Sequence, residues 1–138
     1  MKNLLDDNLC DVLCEAAKNK ADELGIAISF AVCDSNGELL LFRRYENAPV
    51  ISTTLVPNKA YTSAVMFMPT EKLAKLCVDG GPLMGLNSMD SRITFISGGY
   101  PLFAGGKCVG AIGVGGGRDG EDNIIAEYVL SEFHKLTK

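Results

Sequence analysis

Tyr100-Pro101-Leu102-Phe103-Ala104-Gly105-Gly106-Lys107-Cys108-Val109-Gly110-Ala111-Ile112-Gly113-Val114 is the stretch that decides the fold. Two apolar runs flank Ala104-Gly105-Gly106, where glycine can take positive φ without steric cost, so the stretch reads as strands 100–103 and 107–114 joined by a tight turn. A lone hairpin is marginal in water and needs partners. Immediately upstream, Arg92 to Ser97 reads as a further strand. Farther back, Ile26-Ala27-Ile28-Ser29-Phe30-Ala31-Val32-Cys33 is too apolar and β-branched for a surface loop. Asp34-Ser35-Asn36-Gly37 then turns the chain by Asx and glycine chemistry, and Glu38 to Arg44 returns as the second arm of another hairpin.

Helical periodicity brackets these strands. Leu4, Leu5, Leu9, Val12, Leu13, Ala16, Ala17, Ala21 and Leu24 recur at three- and four-residue steps before Gly25 stops the run. Asn58 to Phe67 also reads as helix, with Pro57 expected to mark a break or first turn because it lacks an N–H and constrains Val56. Thr70 is placed as the cap of a short helix to Val78, ended by Gly80-Gly81-Pro82, with a loop through Met84 and Asn87. Glu121 to Leu136 carries the stripe Ile125, Tyr128, Val129, Phe133 and Leu136 of an amphipathic terminal helix. The expected order is αββααβββα. Hairpins grouped in this way favour an antiparallel sheet covered by helices, the α+β class.

Composition narrows the function. The chain has 138 residues, which suits one domain over 1–138, and 47% of them are hydrophobic, enough for a packed core. Thirteen Lys and Arg against 17 Asp and Glu leave a net charge of −4, and no basic cluster is available to neutralise phosphates, so nucleic acid is not an expected partner. No run of 18 apolar residues suggests a membrane span. Met1-Lys2-Asn3-Leu4-Leu5-Asp6-Asp7 meets two acids too early to serve as a secretory signal. Cys10, Cys14, Cys33, Cys77 and Cys108 are scattered and odd in number, which fits reduced thiols and a cytoplasmic location.

Individual motifs are mostly structural on this reading. Gly115-Gly116-Gly117-Arg118-Asp119-Gly120 satisfies G-x-G-x-x-G between a strand and a helix, yet no second parallel strand follows, and Asp119, Glu121 and Asp122 put negative charge where a phosphate would sit. Gly106-Lys107 is not a Walker loop, since Pro101 and Cys108 stand at required positions. No C-x-x-C occurs and no histidine lies near Cys10 and Cys14, so no metal site is expected. Cys33 and Cys108 read as buried apolar strand residues, His134 as a helix-end side chain, and Met66, Met68, Met84 and Met89 as core filling. Asp34 reads first as a turn former and secondly as a carboxylate at a pocket edge. Arg43, Lys59 and Arg118 together could hold a ligand carboxylate or phosphate.

The ordered strings Ala31-Val32-Cys33-Asp34-Ser35-Asn36-Gly37-Glu38-Leu39-Leu40, Arg43, Lys59-Ala60-Tyr61-Thr62-Ser63-Ala64, Gly98-Gly99-Tyr100-Pro101 and Gly105 to Gly116 resemble the GlcG/HbpS family. The same domain forms the C-terminus of PduO-type corrinoid adenosyltransferases. That resemblance implies a profilin-like three-layer α/β/α fold with a five-stranded antiparallel sheet, assembled as dimers to octamers. It also implies binding of haem or a related tetrapyrrole such as a corrinoid, in diol- or glycolate-type metabolism. Haem-binding relatives can use a histidine near the first helix; here no histidine precedes His134, so that axial ligation is excluded.

The expected function is a homo-oligomeric, small-ligand-binding accessory protein rather than an enzyme. Its pocket is expected between the Lys59 helix, Gly98 to Pro101 and the glycine turn after the last strand. Arg43 and Lys59 would fix an anionic substituent, Tyr61 and Tyr100 would supply aromatic walls, and Gly98, Gly99, Gly115 and Gly116 would allow close backbone approach. The competing readings are an enzyme of the same cleft using Asp34 or Lys59 for proton transfer, and a scaffold for a neighbouring adenosyltransferase or dehydratase.

Overall fold

A computed structural model of the protein describes residues 4–118 and 120–138; Met1 to Asn3 and Asp119, which entered the readings above, lie outside the described residues. Helix α1 spans Asp7–Leu24. Asp6 caps it by accepting the Leu9 N–H, and Gly25 closes it at φ 72°, in the left-handed region that glycine enters without penalty. Strands β1 (Ser29–Asp34) and β2 (Leu39–Arg44) form the first hairpin. Its turn is held by Asp34, whose carboxylate accepts the N–H groups of Asn36 and Glu38 at 2.9 and 3.0 Å. Helices α2 (Ser52–Met66), α3 (Thr70–Leu76) and the single turn α4 (Leu86–Met89) precede β3 (Gly99–Ala104), β4 (Lys107–Gly115) and α5 (Glu121–Leu136).

The sheet has four strands in the order β2-β1-β4-β3, all neighbours antiparallel, and not the five expected. The missing strand is Arg92 to Ser97, and hydrogen bonding explains its loss. The Arg92 N–H goes to the Asp90 carboxylate, the Thr94 N–H to Thr62 Oγ1 and the Ile96 N–H to Thr94 Oγ1, so side chains satisfy the donors a ladder would need. Residues 86–89, read as loop, form α4, so the order is αββαααββα.

Two other boundaries move for identifiable reasons. Helix α2 begins five residues before Pro57 and carries it inside. Pro57 cannot donate to Thr53, but Thr53 is an exposed residue, while Val56 and Ala60 are fully buried against the sheet. Thr70 does not cap α3: Pro69 holds that position, and Thr70 Oγ1 instead accepts the Gly99 N–H at 3.1 Å, tying α3 to β3.

Side-chain alternation along the strands builds two cores. Ile28, Phe30, Val32, Leu102, Ile112 and Val114 pack beneath α1 and α5, with Leu13, Val129 and Phe133 on the helices. On the other face, Ala31, Cys33 and Ala111 meet Val56, Ala60 and Ala64 of α2. Small residues dominate this second face because the α2 backbone lies directly on it. A Cβ at Gly113 would stand 2.4 Å from the Val56 carbonyl oxygen, and one at Gly99 2.5 Å from that of Lys59. Met84 and Met89, expected in the core, are 59% and 85% exposed, because the chain between α3 and β3 runs over the surface.

The cysteines are free, as their spacing indicates, and four of the five are buried. Burial pushes the Cys33 thiol up from 9.0 to about 12. Between these values the unfolded chain releases a proton that the folded chain keeps. Stability from this group is therefore complete below pH 9 and falls as pH rises toward 12. We expect the stability difference between the native protein and Cys33→Ala to shift toward the variant by about 1.4 kcal/mol per pH unit above pH 9. Urea titrations at pH 8, 9, 10 and 11 check this, and a pH-independent difference contradicts it.

Candidate functional site: a buried lysine–aspartate pair beside a small cleft

Lys59 is the largest polar side chain in the interior, 1% exposed at the centre of α2. Its ammonium crosses the end of β4, donating to the Val114 carbonyl oxygen at 2.8 Å and to Asp122 Oδ2 at 3.4 Å. Asp122 stands in the first turn of α5, where the helix dipole favours a carboxylate, and its Oδ1 accepts the Gly117 N–H at 2.8 Å. Burial pulls the Lys59 pKa below its usual value, and the carboxylate of Asp122 opposes that pull.

Glycine makes this crossing possible. At Gly98, φ is 122° and a Cβ would lie 2.3 Å from the Val114 carbonyl oxygen and 2.9 Å from Lys59 Nζ. At Gly115 a Cβ would meet Val56 Cγ2 at 2.6 Å and Lys59 Nζ at 3.3 Å. Beside the pair, a hydroxyl relay runs from Ser29 Oγ to Ser52 Oγ and on to the Pro49 carbonyl oxygen, each step 2.6 Å. A cleft of about 190 Å³ opens here, lined by Lys59, Asp122, Ser52 and Gly115 to Gly117, with Ile51, Leu55 and Ile96 at its apolar side.

The structure brings Lys59, Gly98, Gly115 and Gly116 together, and Gly99 packs under the Lys59 carbonyl. The other expected site residues lie elsewhere. Arg43 pairs with Phe30 in the β1–β2 register, so it projects to the α1 side of the sheet, opposite Lys59. There its guanidinium stands 4.7 Å from the Tyr45 ring centroid. Tyr61 is turned toward the loop before β3: its hydroxyl donates to Asp90, and the Arg92 guanidinium lies 3.9 Å from its ring centroid. The Tyr61 and Arg92 hydrogen bonds hold the Asp90 carboxyl down at about 2. Tyr100 enters the α5 core and donates to Glu127 at 2.8 Å, and its hydroxyl pKa is raised by burial and then by that bond. Asp34 is occupied by its turn, and Arg118 is exposed at the glycine loop.

Arg43 belongs to a second, larger cleft of about 500 Å³, bounded by Lys18, Asp22, Ile26, Ile28, Tyr45 and Glu46. Lys18 is committed to Asp22. Arg43 has no carboxylate within ion-pair distance among the described residues. Tyr45 shares its hydroxyl with Cys14 Sγ at 3.1 Å, and burial, then this bond, raises its pKa. Neither Asp122 nor this cleft was singled out from sequence as part of a site. The signal for Asp122 was present: a lysine on a buried helix face requires an acidic partner.

Fold and site together define a three-layer α+β protein in which one helix rests on a glycine-paved sheet and sends a lysine through to an aspartate on the far layer. The chain belongs to the HbpS-like family of haem degrading proteins, whose family model matches residues 5–131. It is 34% identical over 125 residues to an uncharacterized 15.0 kDa protein of the dhaT–dhaS intergenic region of Citrobacter freundii, covering 90% of this chain and 88% of that one. It is 32% identical over 126 residues to the corrinoid adenosyltransferase PduO of the same organism, covering 91% of this chain but only 38% of the relative. Among solved structures, a PduOC:heme complex superposes with a TM-score of 0.88 at 28% identity, covering 92% of this chain and 93% of that one. No helix among the described residues is long and apolar enough to cross a membrane.

Proposed function

We propose that this protein binds a tetrapyrrole, haem in preference to a corrinoid, in the cleft beside Arg43 and Tyr45. The observation that carries the reading is the likeness to the PduOC:heme complex over nearly the full length of both chains. Size supports the choice of cleft. Pockets that enclose ligands of this bulk run to about 300–1,000 Å³, a range that includes the 500 Å³ beside Arg43 and excludes the 190 Å³ beside Lys59. Arg43, with no carboxylate partner among the described residues, is suited to either of the two propionates of haem, whereas cobalamin, whose side chains are amides, offers it a single phosphate.

The residues fit the organic frame of haem better than its iron. Among the described residues no histidine, cysteine or methionine lines this cleft, and the Tyr45 hydroxyl is already shared with Cys14. Metal-free protoporphyrin IX should therefore bind within about tenfold of haem, and Arg43→Glu should weaken both by about tenfold or more. Absorbance and fluorescence titrations measure this. Saturable binding of haem alone overturns the assignment to the frame, and binding of neither overturns the tetrapyrrole reading.

The same reading makes the protein a cytoplasmic homo-oligomer, dimer to octamer, serving diol- or glycolate-type metabolism beside a corrinoid adenosyltransferase or dehydratase. Its supports are the alignment with part of PduO and the exposed apolar side chains Val50, Phe67 and Val78, which suit burial between subunits.

A further inference from the structure

We propose that the Lys59 cleft is a second, independent site that takes a small neutral aldehyde or ketone as an imine on the Lys59 amine, with Asp122 relaying the proton. The inference does not rest on the tetrapyrrole reading, since the two clefts lie on opposite faces of the sheet.

Charge selects the ligand class. Asp122 compensates Lys59 at 3.4 Å, so the site carries no surplus positive charge for a carboxylate or phosphate. Volume sets the size: at about 30 Å³ per water, a cleft of 190 Å³ holds a molecule of a few heavy atoms. Chemistry selects the carbonyl. A lysine buried beside Gly98, Gly115 and Val56 is desolvated, which favours the neutral, nucleophilic amine, and a carboxylate on the same ammonium can take the proton it must shed. Among the described residues the ammonium has two hydrogen-bond partners, Val114 and Asp122, and Lys59 is one of the residues that line the cleft.

The step balances without an oxidant or reductant. Asp122 accepts a proton from the Lys59 ammonium, and the free amine attacks the carbonyl carbon. The C–N bond forms as the carbonyl π pair moves to oxygen, which takes a proton from nitrogen to give the carbinolamine. Asp122 returns its proton to the hydroxyl, water departs, and a protonated imine remains opposite the Asp122 carboxylate. One ion pair replaces another, so the interior loses no charge compensation.

The test is reductive trapping of the intact protein with propanal and cyanoborohydride at pH 7, read residue by residue by peptide mass spectrometry. Lys59 should be alkylated at least about tenfold faster than the exposed Lys107 and Lys138. Propionate, of similar size but anionic, should not protect it. Lys59→Arg, checked for folding by circular dichroism, should lose the fast adduct and keep the slow surface ones. Asp122→Asn should slow the Lys59 adduct about tenfold while surface labelling is unchanged. An unmodified Lys59 beside labelled Lys107, or protection by propionate, overturns the site; full-speed labelling in Asp122→Asn overturns the relay. Haem titration of the trapped protein should match that of the untreated protein, which separates the fate of this proposal from that of the tetrapyrrole reading.

Discussion

Replacing Lys59 by methionine should lower the free energy of unfolding by about 3–5 kcal/mol, because removal of one partner leaves the other as a buried, uncompensated charge. The Asp122 side chain is 12% exposed, and among the described residues the Gly117 N–H remains its one other partner. Methionine fills much of the space of the lysine stem, so the loss is electrostatic rather than a cavity effect. The double variant Lys59→Met/Asp122→Asn should recover most of the loss, because the stranded charge is then gone while the Gly117 N–H can still be accepted by an amide oxygen. Urea denaturation of the four proteins closes the cycle. A single-variant loss under about 1 kcal/mol, or additive losses in the double variant, would mean that the pair is not coupled in the folded state.

Much of the fold was legible because local chemistry and tertiary packing agree. Gly25, the Asp34-to-Gly37 turn and the stripe on α5 each announce a boundary that the structure keeps, and β4 is read to within one residue. The false strand at Arg92 to Ser97 has suitable residues, but strand propensity says nothing about whether a neighbour offers a ladder. Here Thr62 and Asp90 take its donors first. Pro57 misled in the opposite sense: a proline inside a helix costs less where the residue four positions earlier is exposed, and sequence does not reveal that Thr53 is.

The site was legible only in part, for a reason specific to glycine. The glycine-rich strings that indicate the family are visible in sequence, yet an absent side chain can make room for a ligand or for another segment of the same chain. At Gly99 and Gly113 the occupant is the backbone of α2, at Gly105 and Gly106 nothing stands within 4 Å, and Gly115 to Gly117 line the small cleft. The cations were equally ambiguous. Arg43 and Lys59 are 16 positions apart, but the strand register sends the first to one face while the helix holds the second on the other.

This reading of the glycines makes the second large prediction. Gly113→Ala should destabilise the protein by about 1–3 kcal/mol or more, the usual cost of overpacking a well-filled interior. The new methyl carbon would meet the Val56 carbonyl oxygen at 2.4 Å and the Ala60 nitrogen at 3.0 Å. Both are backbone atoms of α2, so no rotamer change relieves the contact and the helix itself must rise from the sheet. Lys59 sits between Val56 and Ala60 on that helix, so its grip on Val114 and Asp122 should loosen as well. Gly105→Ala is the matching control. It has φ of 59° but nothing within 4 Å, and should lose only the roughly 1 kcal/mol of placing an L-residue in the left-handed region. Thermal denaturation with hydrogen exchange over 52–66 distinguishes the two. The first variant should show faster exchange throughout α2, the second none. Equal stability losses, with α2 protection intact in both, would mean that close helix approach is not what glycine serves at position 113.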